Sequence, residues 1–158
     1  MHFWKKGKEQ TEATPLNAHG TILVVDDEPV MRAITGAVLN ALGWNVLNAG
    51  SGEEAVRMTR FVQERGSRLD MVILDLILPC GMSGFEAAQA VRQIQPGVRI
   101  LACSGFFDDD GKSCLALGFN ATLAKPFTAD DLAQSVYQCL HGAEDKAAAQ
   151  PAVAAAVA

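Results

Sequence analysis

Apolar and polar residues fall in alternating blocks along the chain. The most informative block is Met71-Val72-Ile73-Leu74-Asp75-Leu76-Ile77-Leu78-Pro79, an apolar run with one aspartate near its centre. A run this short, rich in branched residues and closed by proline, predicts a strand buried on both faces of a parallel sheet. Asp75 is then a carboxylate at a strand end. Burying an ionised carboxylate costs on the order of several kcal/mol unless a cation or hydrogen bonds compensate, which marks Asp75 as a reactive centre rather than packing.

The same reading extends over about residues 20 to 141. Thr21 to Val25 predicts a first strand, ending in Asp26-Asp27-Glu28-Pro29, where the proline suits the first turn of a helix. Val30, Ile34, Val38, Ala41 and Leu42 recur at helical spacing as the inward face of that helix, and Gly43 closes it. Trp44 to Asn48 predicts strand two. Ser51 caps a helix to about Arg65, with Ala55, Met58 and Val62 inward. After the Asp75 strand, Ser83 or Gly84 starts a third helix with Phe85, Ala88, Val91 and Ile94 on one face, ended by Pro96-Gly97. Val98 to Cys103 predicts strand four. Asp108 to Asp110 precede a weak helical stretch to Leu117, where the acids favour a helix start and Gly111 lowers the propensity. Ala121 to Leu123 predicts strand five, and a last helix from about Ala129 turns Leu132, Val136, Cys139 and Leu140 inward. Strands that alternate with helices in this way define an α/β fold with a parallel sheet.

Composition narrows the picture. At 158 residues and 49% hydrophobic, the chain holds one domain with a real core. Its net charge of -5 excludes a broad nucleic-acid or anionic-lipid interface, which needs clustered Lys and Arg. The four cysteines make no CxxC pair, so neither zinc nor a disulfide framework is expected; most are core residues, with Cys80 in a loop as the exposed thiol. No run of 18 apolar residues is present, so no membrane span is expected and a reducing cytoplasm is the expected setting. Residues 1–19 are expected to form a flexible extension and 142–158, with nine alanines, a disordered tail; the domain occupies 20–141.

In a parallel α/β sheet, ligands sit beyond the carboxyl ends of the strands. Asp26, Asp27, Asp75, Ser104 and Lys125 all fall there. Singly, each is an ordinary cap, turn residue or surface lysine; jointly they converge at one end. Three carboxylates and one ammonium leave a local charge of -2, and two carboxylates about 5 Å apart repel by roughly 3 kcal/mol at an effective dielectric of 20. A divalent cation removes that repulsion. All-oxygen ligation points to Mg²⁺, with Mn²⁺ tolerated. With that ion bound, the crevice can accept a phosphoryl group.

Four segments carry a resemblance: Val24-Val25-Asp26-Asp27-Glu28-Pro29, Leu74 to Pro79, Ala102-Cys103-Ser104-Gly105 and Leu123-Ala124-Lys125-Pro126-Phe127. Together they are specific, and over residues 21 to 141 the chain resembles the CheY-like response-regulator receiver domains of two-component signalling. The resemblance implies a doubly wound, flavodoxin-like (βα)5 fold whose five-stranded sheet has the order 2-1-3-4-5, the order CheY itself exemplifies. It also implies that Asp75 takes a phosphoryl group from a sensor histidine kinase, a histidine phosphotransfer protein or a small acyl phosphate. Asp27, Asp75 and the Ile77 backbone carbonyl would ligate Mg²⁺, and Asp26 would reach it through water. Lys125 and the Ser104 hydroxyl would contact phosphoryl oxygens. The implied switch comprises Ser104, Phe106, Phe107 and Thr122, in strand four, its following loop, the weak fourth helix and strand five.

Three positions depart from the family's usual pattern. Thr122 stands where an aromatic ring is usual, so Phe106 or Phe107 is expected to serve in its place. The loop Cys80-Gly81-Met82-Ser83-Gly84 is one residue longer than common. Ile77 is apolar where a polar side chain could orient attacking water, which predicts a long-lived acyl phosphate.

Rival classes fit less well. An aspartyl-phosphate phosphatase needs a second acid two residues after the nucleophile, where Ile77 stands. A flavodoxin-like nucleotide carrier needs a Ser, Thr or Gly loop after strand one, where Asp26-Asp27-Glu28 repels phosphate. A phosphorylation-silent receiver is the nearer rival, set against it the full set of reactive groups. His2, His19 and His141 do not suggest a histidine relay. The last helix from Asp130 to Leu140 lacks Arg and Lys, so DNA-binding output is not expected. A stand-alone receiver acting on a downstream protein is expected, or a receiver excised from a hybrid histidine kinase, with phosphorylation-dependent homodimerisation to be tested by sizing.

Overall fold

The computed structural model describes residues 20–142. The expectations for residues 1–19 and 143–158 lie outside the described residues. Five strands, β1 (Thr21–Val25), β2 (Asn45–Ala49), β3 (Met71–Asp75), β4 (Arg99–Ser104) and β5 (Ala121–Ala124), form one parallel sheet in the order 2-1-3-4-5. The helices among the described residues are α1 (Pro29–Ala41), α2 (Gly52–Glu64), α3 (Gly84–Ile94), α4 (Lys112–Ala116) and α5 (129–142).

Side-chain alternation along each strand divides the core in two. Leu23, Val25, Val72, Leu74, Ile100 and Ala102 meet α2, α3 and α4, whereas Ile22, Val24, Met71, Ile73, Leu101 and Cys103 meet α1 and α5. β3 is buried along its whole length, as a strand covered on both faces must be. Each of its fully buried branched side chains contributes roughly 1.5–3 kcal/mol.

Local chemistry explains the helix boundaries. Ser51 accepts from the Glu54 N–H at the start of α2, and Ser83 forms a reciprocal capping box with Glu86 at the start of α3. Pro29 occupies the first turn of α1. α4 is only five residues long and begins at Gly111 in the left-handed region (φ 82°), consistent with a weak helix. The acidic run does assist its start, since Asp109 accepts from the Ser113 N–H and hydroxyl.

Several expectations need correction. The inward face of α1 is Thr35, Gly36 and Leu39 with Val38 packed beside them as expected, whereas Val30 (68% exposed), Ile34 (51%), Leu42 (40%) and Ala41 face out. This face packs on β2, where a Cβ at Gly36 would stand in ordinary contact, 3.5 Å from Val46 Cγ1. Phe85 is not on the buried face of α3. It lies half-exposed, edge-on to Phe119 with ring centroids 5.7 Å apart, while Ala87 takes its place inside. Trp44 is buried but precedes β2, and β2 and β4 both run one residue later than expected. The apolar run around Asp75 is strand only as far as Asp75; Leu76 to Pro79 are loop. α5 extends through residue 142, one residue into the expected tail.

Candidate functional site

Parallel register aligns the carboxyl ends of four strands. Val25 pairs with Leu74, Asp75 with Cys103, and Ser104 with Ala124. Asp26, Asp75, Ser104 and Lys125 therefore emerge side by side. The ladder continues one step past the strands: Asp26 N–H donates to the Ala49 carbonyl (3.1 Å), Leu76 to Cys103 (3.0 Å) and Lys125 to Ser104 (2.8 Å). These bonds fix the backbone from which the polar groups project.

Lys125 Nζ donates to Asp26 Oδ2 at 2.8 Å and to Asp75 Oδ2 at 2.9 Å. Both aspartates are nearly buried, 7% and 6% exposed, so a cation between them is a physical necessity and not a surface ornament. Burial pulls the Lys125 ammonium down, but the two hydrogen bonds and the charges of Asp75 and Asp26 outweigh it and leave its pKa above the ordinary lysine value. The remaining oxygens are oriented too. Asp26 Oδ1 accepts from the Glu28 N–H and Asp75 Oδ1 from the Ile77 N–H, each at 2.9 Å.

Asp27 completes the group: one carboxylate oxygen from each of Asp26, Asp27 and Asp75 lies within 4.8 Å of the others. Oxygen ligands of an octahedral Mg²⁺ at 2.0–2.1 Å stand at most about 4.2 Å apart. A small rotation of the half-buried Asp27 side chain narrows that gap, and each carboxylate oxygen of Asp26 and Asp75 has a second lone pair beyond the bond it already makes. The donor set therefore fits a hard divalent cation.

Of the five convergent residues, Ser104 stands apart in orientation. It is buried, and its hydroxyl turns into its own loop, donating to the Phe106 carbonyl (2.9 Å) and accepting from the Phe106 N–H (3.2 Å). Phe106 is 73% exposed, whereas Phe107 packs partly buried against the core. Thr122, in β5, rests against Gly111. Ile77 projects into solvent at 65% exposure.

Three contributors were missed in the sequence. Arg32 Nη1 donates to the Asp26 backbone carbonyl at 2.6 Å, bracing the β1 end from α1. Its signal is a lone cation one turn into a helix that starts at an acidic cluster. Glu53 Oε1 accepts from the Met82 N–H at 2.7 Å, tying the long loop after β3 to α2; hydrogen bonds from its own N–H and from Met82 hold this carboxylate below the usual range. Gly81, with φ 72°, lies so close that a Cβ would fall 2.4 Å from Glu53 Oε1. Glu54 Oε2 accepts from the Gly50 N–H (2.7 Å). These bonds link residues far apart in sequence or lie in loops, where periodicity carries no signal.

A fold of this order with acids at the carboxyl edge defines a receiver-type α/β module, and the comparisons agree. The family model for the response regulator receiver domain matches residues 22–137. The chain belongs to that family: it is a receiver domain of two-component systems. It is 31% identical over 135 residues to the autoinducer 1 sensor kinase/phosphatase LuxN of Vibrio campbellii, which covers 82% of this chain but 15% of that protein. It is 34% identical over 113 residues to the probable transcriptional regulatory protein TcrX of Mycobacterium tuberculosis, 71% of this chain and 46% of that protein. The chain thus spans less than half the length of these relatives. Among solved structures it resembles chemotaxis protein CheY4 of Vibrio cholerae (TM-score 0.66, 28% identity, 77% of this chain and 98% of that one). A receiver domain from Clostridium thermocellum is equally similar (TM-score 0.67, 28% identity, 79% and 97%). Receiver domains bind Mg²⁺ in an acidic pocket and interact with histidine kinases and downstream targets. No helix among the described residues is long and apolar enough to cross a membrane.

Proposed function

We propose that Asp75 is the phosphoacceptor of this receiver. The observation that carries the reading is the Lys125 ammonium held between two nearly buried carboxylates, Asp26 and Asp75, with Asp27 beside them. An Asp75 carboxylate oxygen attacks phosphorus in line. The phosphorus bond to the donor, a phosphohistidine nitrogen or an acyl oxygen, breaks, and its electron pair leaves with the donor group. The product is an acyl phosphate, and catalysis is mainly positioning and charge compensation.

Asp26, Asp27, Asp75 and the Ile77 carbonyl would hold Mg²⁺, with Mn²⁺ accepted, and the bound ion supplies positive charge against the phosphoryl oxygens. Lys125 exchanges an aspartate oxygen for a phosphoryl oxygen. Ser104 gives up its bonds to Phe106 and turns its hydroxyl toward the new group, carrying the loop through Phe106 and Phe107 with it; Thr122 and α4 respond. The domain's own chemistry is confined to gaining and losing this group. The donor is a sensor histidine kinase or histidine phosphotransfer protein, for which the exposed Val30 and Ile34 on α1 offer apolar contact beside the site. The output is binding of a downstream protein, in the cytoplasm.

Incubation with Mg²⁺ and acetyl phosphate tests the assignment. The protein is expected to gain the mass of one phosphoryl group, mapping to the peptide that contains Asp75, and Asp75→Asn is expected to gain none. Equal modification of the variant overturns the reading. Sizing with and without a beryllofluoride mimic reads any phosphorylation-dependent homodimer. A receiver module within a hybrid histidine kinase is the second reading, favoured by the match to the sensor kinase LuxN and to the sensor kinase CckA of Brucella abortus.

A further inference from the structure

Between Pro79 and α3 the chain runs through Cys80, Gly81, Met82 and Ser83, the loop that is one residue longer than is common in the family. Three glycines show how closely this loop is packed. A Cβ at Gly52, the first residue of α2, would stand 3.0 Å from Met82 Cβ and 3.2 Å from Ala87 Cβ, so the start of α2 presses on the loop and on α3. At Gly81, where φ is 72°, a Cβ would run into the Glu53 carboxylate. At Gly84 a Cβ would fall 2.6 Å from Leu76 Cα and 2.7 Å from the Asp75 carbonyl oxygen, so the first turn of α3 rests on the backbone at the end of β3.

Glu53 is the polar tie in this packing. Its Oε1 accepts the Met82 N–H at 2.7 Å, a charge-assisted bond between α2 and the loop. The Met82 side chain packs against the core, and the capping box of Ser83 and Glu86 begins at the next residue. A short path therefore joins Glu53 to the reacting residue, through Met82 and Ser83 to Gly84, and from Gly84 to the Asp75 carbonyl and Leu76 Cα. Ile77 follows at once, with its N–H on Asp75 Oδ1 at 2.9 Å. Glu53 itself stands outside the group formed by Asp26, Asp27 and Asp75.

We propose that Glu53 is a positioning residue for phosphoryl transfer at Asp75. By fixing the Met82 N–H it seats the longer loop, so that the Asp75 backbone and the Ile77 carbonyl keep the placement Mg²⁺ requires. Its action is through the loop, without contact to the ion or the phosphoryl group. Groups that support a metal ligand from behind typically change metal affinity about 10–100-fold when they are lost. This role rests on Asp75 as the phosphoacceptor.

The test compares the full chain with its Glu53→Ala and Glu53→Gln variants. Three quantities are measured: Mg²⁺ affinity by isothermal titration, amide exchange by NMR, and the rate of mass gain from acetyl phosphate at a fixed, subsaturating Mg²⁺ concentration. Glu53→Ala is expected to bind Mg²⁺ about tenfold more weakly and to gain mass correspondingly more slowly. Its Met82 and Ile77 amides should exchange faster, while those of Leu23 and Ile100 in the sheet keep the parent's rates. Glu53→Gln keeps an oxygen that accepts the Met82 N–H, and is expected to return all three quantities to the parent's values. Parent affinity and rate in Glu53→Ala overturn the role. An impaired Glu53→Gln also does so, by assigning the effect to charge rather than to the hydrogen bond. Faster exchange at Leu23 and Ile100 does so too, by making Glu53 a residue of general stability. Each of these results leaves Asp75 as phosphoacceptor so long as the parent gains mass and Asp75→Asn does not; equal modification of Asp75→Asn removes both assignments.

Discussion

A Cβ added to Gly111 would lie 2.7 Å from Thr122 Cγ2 and 2.8 Å from Thr122 Oγ1, so the start of α4 sits directly on β5. Gly111 also holds φ 82°, where side chains other than glycine are strained. Gly111→Ala is expected to lose about 1–3 kcal/mol of stability in urea titrations. Thr122→Tyr, which installs the ring usual in the family, brings a larger side chain beside the Gly111 start of α4. Faster amide exchange over residues 108–117 should report the displaced helix; unchanged exchange there would remove Thr122 from the switch.

The Lys125 ammonium separates two carboxylates that have little access to water. Lys125→Met is expected to lose about 2–4 kcal/mol, less than the full cost of a broken buried pair because the lysine retains some solvent contact. Added Mg²⁺ should restore more stability to the variant than to the parent. An unshifted urea midpoint in chelator would contradict this.

The same pair sets a pH dependence. The folded-state pKa of Lys125 is raised, so its contribution is complete below the ordinary lysine value near 10.4 and is lost as pH rises through the higher folded value. The difference in urea midpoint between parent and Lys125→Met should hold constant from about pH 7 to 9 and narrow above about 10. Narrowing below pH 9 would assign the linkage to another group.

Ile77 gives its N–H to Asp75 Oδ1 and carries an apolar, solvent-exposed side chain two residues past it. It cannot orient water for attack on an acyl phosphate. Ile77→Asn is expected to shorten the phosphorylated lifetime several-fold, measured by decay of the added mass; equal or slower decay refutes the assignment.

Thiol chemistry offers an independent check on the core. Burial pushes the Cys103 and Cys139 thiols up to about 12, and Cys114 is also buried and raised, while Cys80 is exposed. One thiol, Cys80, should react rapidly with a maleimide in folded protein, with the other three released only by denaturant. Rapid labelling at Cys103 would mean that β4 opens from its neighbours β3 and β5.

The fold was legible because its information is local. Runs of branched residues, the Ser51 and Ser83 caps and Pro29 each act within a turn or a strand, so element type and order follow from nearest-neighbour physics. The convergence of Asp26, Asp27, Asp75 and Lys125 was legible for a related reason: parallel strands end together, so residues that follow strands share an edge.

Tertiary structure alone decided the rest. Periodicity gives a helix two candidate faces when apolar residues surround it, and only docking on the sheet turned Val30 and Ile34 outward. Contacts such as Arg32 with the Asp26 carbonyl, Glu53 with the Met82 N–H and Gly111 with Thr122 depend on how separate elements dock. No single stretch of chain encodes those distances, because they arise from packing the whole sheet and its helices at once.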